Sequence, residues 1–380
     1  MVTLKMTNRE NFQAVMEYRK PDHVPNWEVG VWPQTIDRWE KEGLDRRLLG
    51  WDWFTGEDFF NLDNREFIPI NLGMLPGFPE EIIERNEKYE IIRNSQGIVT
   101  KALLEGSVGR ARMSMDQYLS FPVETLKDFE ALKFRYIAGQ AARYEQGWKE
   151  FRLEGWKNRR HVLVAGRNCS TLGFYWRARE WMGTENLSYA LYDDPALCDS
   201  MMEFNADYTI EMLRPVLDEI TPDYIFINED MAMKSGPLLS PEHYRLYIFP
   251  HMRRLSDFIK GKGVPYIIVD TDGNSEPLIP LLLEAGVDGI WPVERAAEDM
   301  DPISLRAKYG KALRLWGAVD KRRIASGKDA IDAHLRTMIP LIEEGGFIPT
   351  VDHLVPPDIS LENFTYYMKQ KMKLLRGQSF

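Results

Sequence analysis

Six short apolar runs recur along the chain: HVLVAG (161–166), DYIFIN (223–228), PYIIVD (265–270), DGIWPV (288–293), LRLWGAV (313–319) and GFIPTV (346–351). Longer stretches of helical periodicity separate them. Runs without apolar/polar alternation are buried on both faces, which is the condition of strands in a parallel sheet covered by helices. Strand, helix, strand is therefore the expected order. Asp194-Pro195 and Ser240-Pro241 each place a capping side chain before proline at a helix start. Thr7 to Glu10 has capping-box spacing ahead of Phe12, Val15 and Met16, which predicts an amphipathic first helix. The segment VPNWEVGV (24–31) reads as a further buried strand, and a weaker one is expected near Trp51 to Phe54. Seven clear strands and one doubtful one predict an α/β fold, an eight-stranded (β/α)8 TIM barrel, with a doubly wound open sheet as the competing topology. YEIIR and IVTKALL flank N-S-Q-G, the pattern of a hairpin inserted outside the repeat. Asp116 to Trp156 reads as helical. No linker is visible, so residues 1–380 are expected to form a single barrel domain with N-terminal additions.

Charge narrows the function. Forty-eight basic against 58 acidic side chains give a net charge of −10, which argues against nucleic acid, whose binding needs a basic face. Two cysteines, Cys169 and Cys198, cannot build a disulfide framework. The N-terminus lacks the apolar core of a signal peptide and no long uncharged apolar run occurs, so a cytoplasmic protein without membrane association is expected.

Carboxylates recur where the runs end. Glu28 lies in VPNWEVGV, Glu229 and Asp230 follow DYIFIN, and Asp270 and Asp272 follow PYIIV. Glu294, Asp320, and the pair Asp352 and His353 follow the last three runs. In a parallel barrel these ends meet at one face, where active sites of the fold are built. An acidic residue after a strand also serves simply to cap the next helix. Gathered like charges need an offset, from a metal, a cationic substrate or arginines, and Arg167, Arg177 and Arg179 are the nearby candidates. D-T-D-G-N sets two carboxylates two residues apart, so Asp270, Asp272 and His353 make an oxygen and imidazole set suited to zinc or another divalent metal. The alternative there is a capping turn beside a hydrogen-bonded histidine. P-loop, GxGxxG and GxSxG signatures are absent. Cys169 and the remaining histidines read as structural.

YIFINEDMAMKSG, YIIVDTDGNSEPLI, LRLWGAVDKRRIASG and GGFIPTVDHLVPPDISLENF resemble segments of the uroporphyrinogen decarboxylase superfamily, which includes cobalamin-dependent methyltransferases. The resemblance is specific over most of Asp194 to Lys373, and it implies a (β/α)8 barrel. The decarboxylases carry an arginine-rich segment near the first strand, where this chain has NWEVGVWPQTI without an arginine. In the methyltransferase branch a His-x-Cys-Gly motif and a later cysteine hold zinc. The resemblance places Asp270 to Gly273 on the first and His353 on the second, with Glu229 as the acidic residue beside the metal.

The resemblance implies an enzyme that moves a methyl group from a small donor, a methyl ether or methylamine, to the cobalamin of a separate corrinoid protein. Glu229, Asp230 and Glu28 are the expected catalytic groups. Trp32, Arg177, Arg179, Trp291 and Glu294 are the expected substrate-binding residues, with Trp27 and Trp53 as further aromatic walls. A homodimer is admitted. Decarboxylation of uroporphyrinogen, drawing on Arg167, Arg177, Arg179 and Arg322, and a non-catalytic ligand-binding barrel are the alternatives.

Overall fold

A computed structural model of the chain describes residues 5–45, 47, 59–105, 116–166 and 172–378, so the strand expected near Trp51 to Phe54 lies outside the described residues. The strands in chain order are β1 (Arg65–Phe67), β2 (Glu81–Arg85), β3 (Tyr89–Arg93), β4 (Val99–Leu103), β5 (Gln117–Ser120), β6 (Val162–Ala165), β7 (Tyr224–Asn228), β8 (Ala232–Met233), β9 (Gly236–Pro237), β10 (Ile267–Asp270), β11 (Gly289–Val293), β12 (Arg314–Val319) and β13 (Phe347–Val351). Each of the six apolar runs is one strand of a seven-stranded sheet ordered β1-β6-β7-β10-β11-β12-β13. Every ladder in it is parallel. The order follows the chain without reversing, which excludes the doubly wound alternative.

Two strands differ from expectation. Val24 to Val31 is buried throughout, yet it carries no ladder, only a parallel bridge from Val31 to Val355. Pro25 has no N–H to give and Gly30 turns the chain at φ 140°, so the backbone finds scattered partners instead. Val355 N–H donates to Gly30 O (2.9 Å) and Trp32 N–H to Val355 O (3.1 Å), while Asp63 N–H donates to Asn26 O (2.9 Å). The segment thus lies between β13 and β1 and fills the eighth position of a TIM-barrel-like fold. The second difference is β1 itself. Its Arg-Glu-Phe sequence shows no apolar run, but β6 supplies a parallel edge, and the Arg65 guanidinium is accommodated 4.7 Å over the Trp27 ring.

The hairpin forms as expected, with β3 and β4 antiparallel from Tyr89↔Leu103 to Arg93↔Val99. β2 and β5 extend it to four strands, so Gln117–Ser120, expected to be helical, instead forms an edge strand paired with β4. The caps also hold. Asp194 accepts from Leu197 N–H (3.1 Å), Ser240 from His243 N–H (3.1 Å), and Thr7 and Glu10 form the full capping box.

Glu28 closes the ring rather than facing the mouth. One of its oxygens accepts from Tyr367 OH and from Lys371 Nζ, each at 2.6 Å, and the other accepts from Val351 N–H at 2.8 Å. Lys371 also donates to Trp27 O at 2.6 Å, and both charged side chains are buried beneath the last helix, Leu361–Leu375. Removing one partner of such a pair strands a charge in a dry site, at a cost of about 3–5 kcal/mol. Lys371→Met should therefore lower the urea unfolding midpoint sharply, and adding Glu28→Gln should recover part of the loss. Equal midpoints for Lys371→Met and the parent would show that the pair does not hold the closure.

Candidate active site

At the end of β7, Glu229 turns inward. It is fully buried and accepts from Phe174 N–H (2.9 Å) and Tyr175 N–H (2.7 Å), at the start of helix Phe174–Met182. Gly173 permits this approach, since a Cβ there would stand 1.6 Å from Asn228 O. Burial lifts the Glu229 carboxyl to about 7, against the opposing pull of the backbone N–H groups and Arg179. Glu229 thus serves as a buried cap on that helix. Asp230, at φ 39°, points the other way and pairs with Arg179 at 2.6 Å. Arg179 also donates to Asp230 O at 3.1 Å and lies 4.4 Å over the Trp176 ring. The Tyr175 hydroxyl is buried nearby, and desolvation pushes it up to about 12, with Asp230 adding to the rise and Arg179 opposing it.

Arg177, expected on the substrate, faces away from this pair. Two residues apart on a helix point to nearly opposite sides. Arg177 is buried, donates to Leu72 O at 2.9 Å, and stands over the rings of Tyr136 (5.4 Å) and Tyr208 (5.6 Å). Its role is packing.

A second cluster gathers from the ends of β10 to β13. Gly273, at φ 73°, follows Asp272 and brings its N–H to Glu294 at 3.0 Å; a Cβ at Gly273 would meet Met233 O at 2.6 Å. The other Glu294 oxygen accepts from Lys321 Nζ at 3.1 Å, and Lys321 lies 3.8 Å from Asp352. Asp352 is fully buried and accepts from Arg295 N–H (3.0 Å) and Lys321 N–H (3.2 Å); burial raises its carboxyl to about 6 while Lys321 opposes the rise. His353 Nε2 sits 3.7 Å from Asp272 Oδ2, both side chains about one-third exposed at 33% and 35%. The Trp32 ring stacks on His353 at 6.1 Å and 22°. Burial, aided by Lys321, lowers the His353 pKa, against Glu294 and Asp352.

Several expected residues lie elsewhere. Trp291 is buried inside the barrel, its indole donating to Thr350 Oγ1 at 3.2 Å and its ring 5.2 Å from Phe226. Trp27 packs with Phe12, Tyr224 and Trp316 rather than lining the rim. Arg322 pairs with Asp320 at 2.8 Å. Arg167, Cys169 and Trp53 lie outside the described residues.

The anticipated metal ligands are brought together only in part. Asp272 and His353 approach each other, but Asp270 accepts a hydrogen bond from the Asn228 amide. Among the described residues no three His, Cys, Asp or Glu side chains converge as a metal cage, and zinc takes three or four protein ligands. The donor set does not fit a complete zinc site. Lys321 is the residue that sequence reasoning missed. It follows Asp320 at the very strand end where the carboxylates were counted, so a count of cations at the same positions would have found it.

The profile of the family described as Uroporphyrinogen decarboxylase (URO-D) matches residues 175–372, more than half of the chain. The chain belongs to the URO-D family. The matched segment carries Arg179, Asp230, Asp272, Glu294, Lys321 and His353, whereas Glu28 and Trp32 precede it. Among curated relatives, a uroporphyrinogen decarboxylase of Nocardia farcinica is 30% identical over 180 residues, covering 46% of this chain and 48% of its own. One of Streptomyces coelicolor is 27% identical over 182 residues, covering 44% and 47%. The chain thus spans about half the length of the curated relatives it matches. A solved methyltransferase from Methanosarcina mazei superposes with TM-score 0.54 at 14% identity, over 96% of this chain and 98% of its own, and so shares the fold of this URO-D member. Among the described residues, no helix is long and apolar enough to cross a membrane.

Since burial raises the Glu229 carboxyl from 4.5 to about 7, the folded state holds that proton more tightly than the unfolded chain. Its contribution is fully present at pH below the unfolded value and is lost as pH rises through the folded one, at no more than about 1.4 kcal/mol per pH unit. Glu229→Gln should flatten the fall of the urea midpoint between about pH 5 and 7, leaving a residual slope from Asp352. Identical slopes in parent and variant would contradict the inward placement of Glu229.

Proposed function

We propose that this URO-D family member is a methyltransferase that moves a methyl group from a small donor, of methyl ether or methylamine type, to a corrinoid protein. One observation carries the reading. Among the described residues, the cations brought to the strand ends already face carboxylates: Arg179 faces Asp230, Lys321 faces Glu294, and Arg322 faces Asp320. A substrate bearing many carboxylates would find its counter-charges taken and further acids, Asp270, Asp272 and Asp352, beside them. A small neutral or cationic donor meets no such repulsion. The identity to curated uroporphyrinogen decarboxylases favours decarboxylation as the second reading.

In the proposed transfer the methyl leaves without its bonding pair, which stays on the donor oxygen or nitrogen. A corrinoid supplies the nucleophilic cobalt that accepts the methyl. The work of this chain is to hold the donor and protonate what remains. Trp32 stacked on His353 offers a flat wall, and the Nε2 edge of His353 beside Asp272 delivers a proton to the leaving atom, the carboxylate stabilising the imidazolium. Burial, with Lys321 adding to it, disfavours that imidazolium and so makes it a stronger acid than free imidazolium. Asp272 and His353 alone do not complete the ligand set of a divalent metal.

Incubation with a corrinoid protein reduced to the cobalt(I) state and a panel of methyl ethers and methylamines should give a methyl-cobalt absorbance change. His353→Gln should reduce kcat by about 10²–10⁴. Parent activity should fall with rising pH, as the protonated imidazole is lost. Coproporphyrinogen formed from uroporphyrinogen would establish the decarboxylase reading instead, and no methyl-cobalt from any donor would end the transferase one.

A further inference from the structure

The opposite end of the barrel holds a cleft with a different charge character. Its volume is about 830 Å³, and it opens between the start of the first helix, residues 59–64, and the last helix. Arg160 and His161 immediately precede β6 and Asn64 precedes β1, so the cleft lies at the N-terminal ends of the strands, away from the mouth. Four cations line it, Lys5, Arg160, Lys369 and Arg376, all exposed, and none enters an ion pair among the described residues. The acid in the lining, Asp63, is already engaged, accepting from Asn26 N–H and paired with His23, each at 2.8 Å. His161 is likewise held by Glu66 at 2.9 Å. Part of the lining is apolar: Phe60 and Met368 are buried, with Met372 and the half-exposed ring of Phe59 also in it.

In a chain of net charge −10, four cations around one concavity, of which Arg160 alone is felt by a nearby carboxylate, Glu10, repel one another and raise the local concentration of anions. The volume falls within the range of small-molecule sites, and the lining offers both an apolar patch and convergent polar groups. Nucleic acid would need a longer basic track. We propose that this cleft binds a small amphipathic anion, a multiply charged oxyanion carried on a compact apolar body, independently of the chemistry at the mouth.

The probes are 1-naphthyl phosphate, naphthalene-2,6-dicarboxylate and the uncharged 1-naphthol, titrated by fluorescence against the full chain. At least one anion should bind saturably at one site per chain, weaken as salt is raised, and exceed 1-naphthol in affinity by about tenfold or more. Whichever anion binds tighter identifies the headgroup. Arg160→Ser with Lys369→Ser, both exposed and so tolerated by the fold, should lower that affinity about tenfold or more at an unchanged urea midpoint. His353→Gln should leave it as it was, which separates this site from the proposed transferase chemistry. Absence of saturable binding, equal binding of 1-naphthol, or an affinity unaltered in the double variant would overturn the proposal.

Discussion

A barrel of parallel strands must satisfy its last edge, and in this protein a buried carboxylate joins a few backbone bonds in doing so. Glu28 joins the N-terminal extended segment to the end of β13 through Val351 N–H, and to the last helix through Tyr367 and Lys371. Such a pair adds little over a well-packed apolar contact, but it tolerates one arrangement only, because either charge alone in that place is costly. The register it sets reaches the functional face. Val351 lies two residues before His353, and Trp32 lies four residues beyond Glu28. The stacking of Trp32 on His353 lies between these ties and the backbone bond from Trp32 N–H to Val355 O.

The rim shows three ways of managing gathered carboxylates. Glu229 and Asp352 are buried and held by backbone N–H groups, while burial shifts their protonation upward. Asp230 meets Arg179 from helix Phe174–Met182, and Glu294 meets Lys321 from the end of β12. Asp272 stays partly exposed beside a histidine. Cations thus answer two of these five acids and backbone N–H groups hold two more, which is the balance on which the proposed preference for small neutral or cationic guests rests. Membership of the URO-D family goes with the barrel, and the positions of these groups are read from this chain alone. The reaction depends on which of them face the opening.

Much of the architecture was legible in the chain, and the reason is local. Unbroken apolar runs record burial on both faces, Asp-Pro and Ser-Pro record helix starts, and the Gly-containing turn between β3 and β4 records a hairpin. β1 escaped notice because its three residues owe their conformation to a partner strand, and Val24 to Val31 kept its burial without its ladder because Pro25 and Gly30 interrupt one. At the site, the clustering of acids at strand ends could be foreseen, as could nearby arginines as possible partners for the set, though not the particular pairing of Asp230 with Arg179. The roles of Glu28, Glu229 and Arg177 could not, since each turns on the direction of one side chain.

The sequence by itself determined the alternation of strand and helix from Val162 onward and the strand ends at which the polar groups would meet, because the periodicity of burial and the end of each of these strands are written in consecutive residues. Only the tertiary structure decided which carboxylates cap, which pair and which remain open. It also put Lys321 between Glu294 and Asp352 and left Asp270 with Asn228. Those outcomes depend on strands far apart in the chain arriving within hydrogen-bonding distance, and the local pattern around Glu229 differs too little from that around Asp272 to foretell which would be buried.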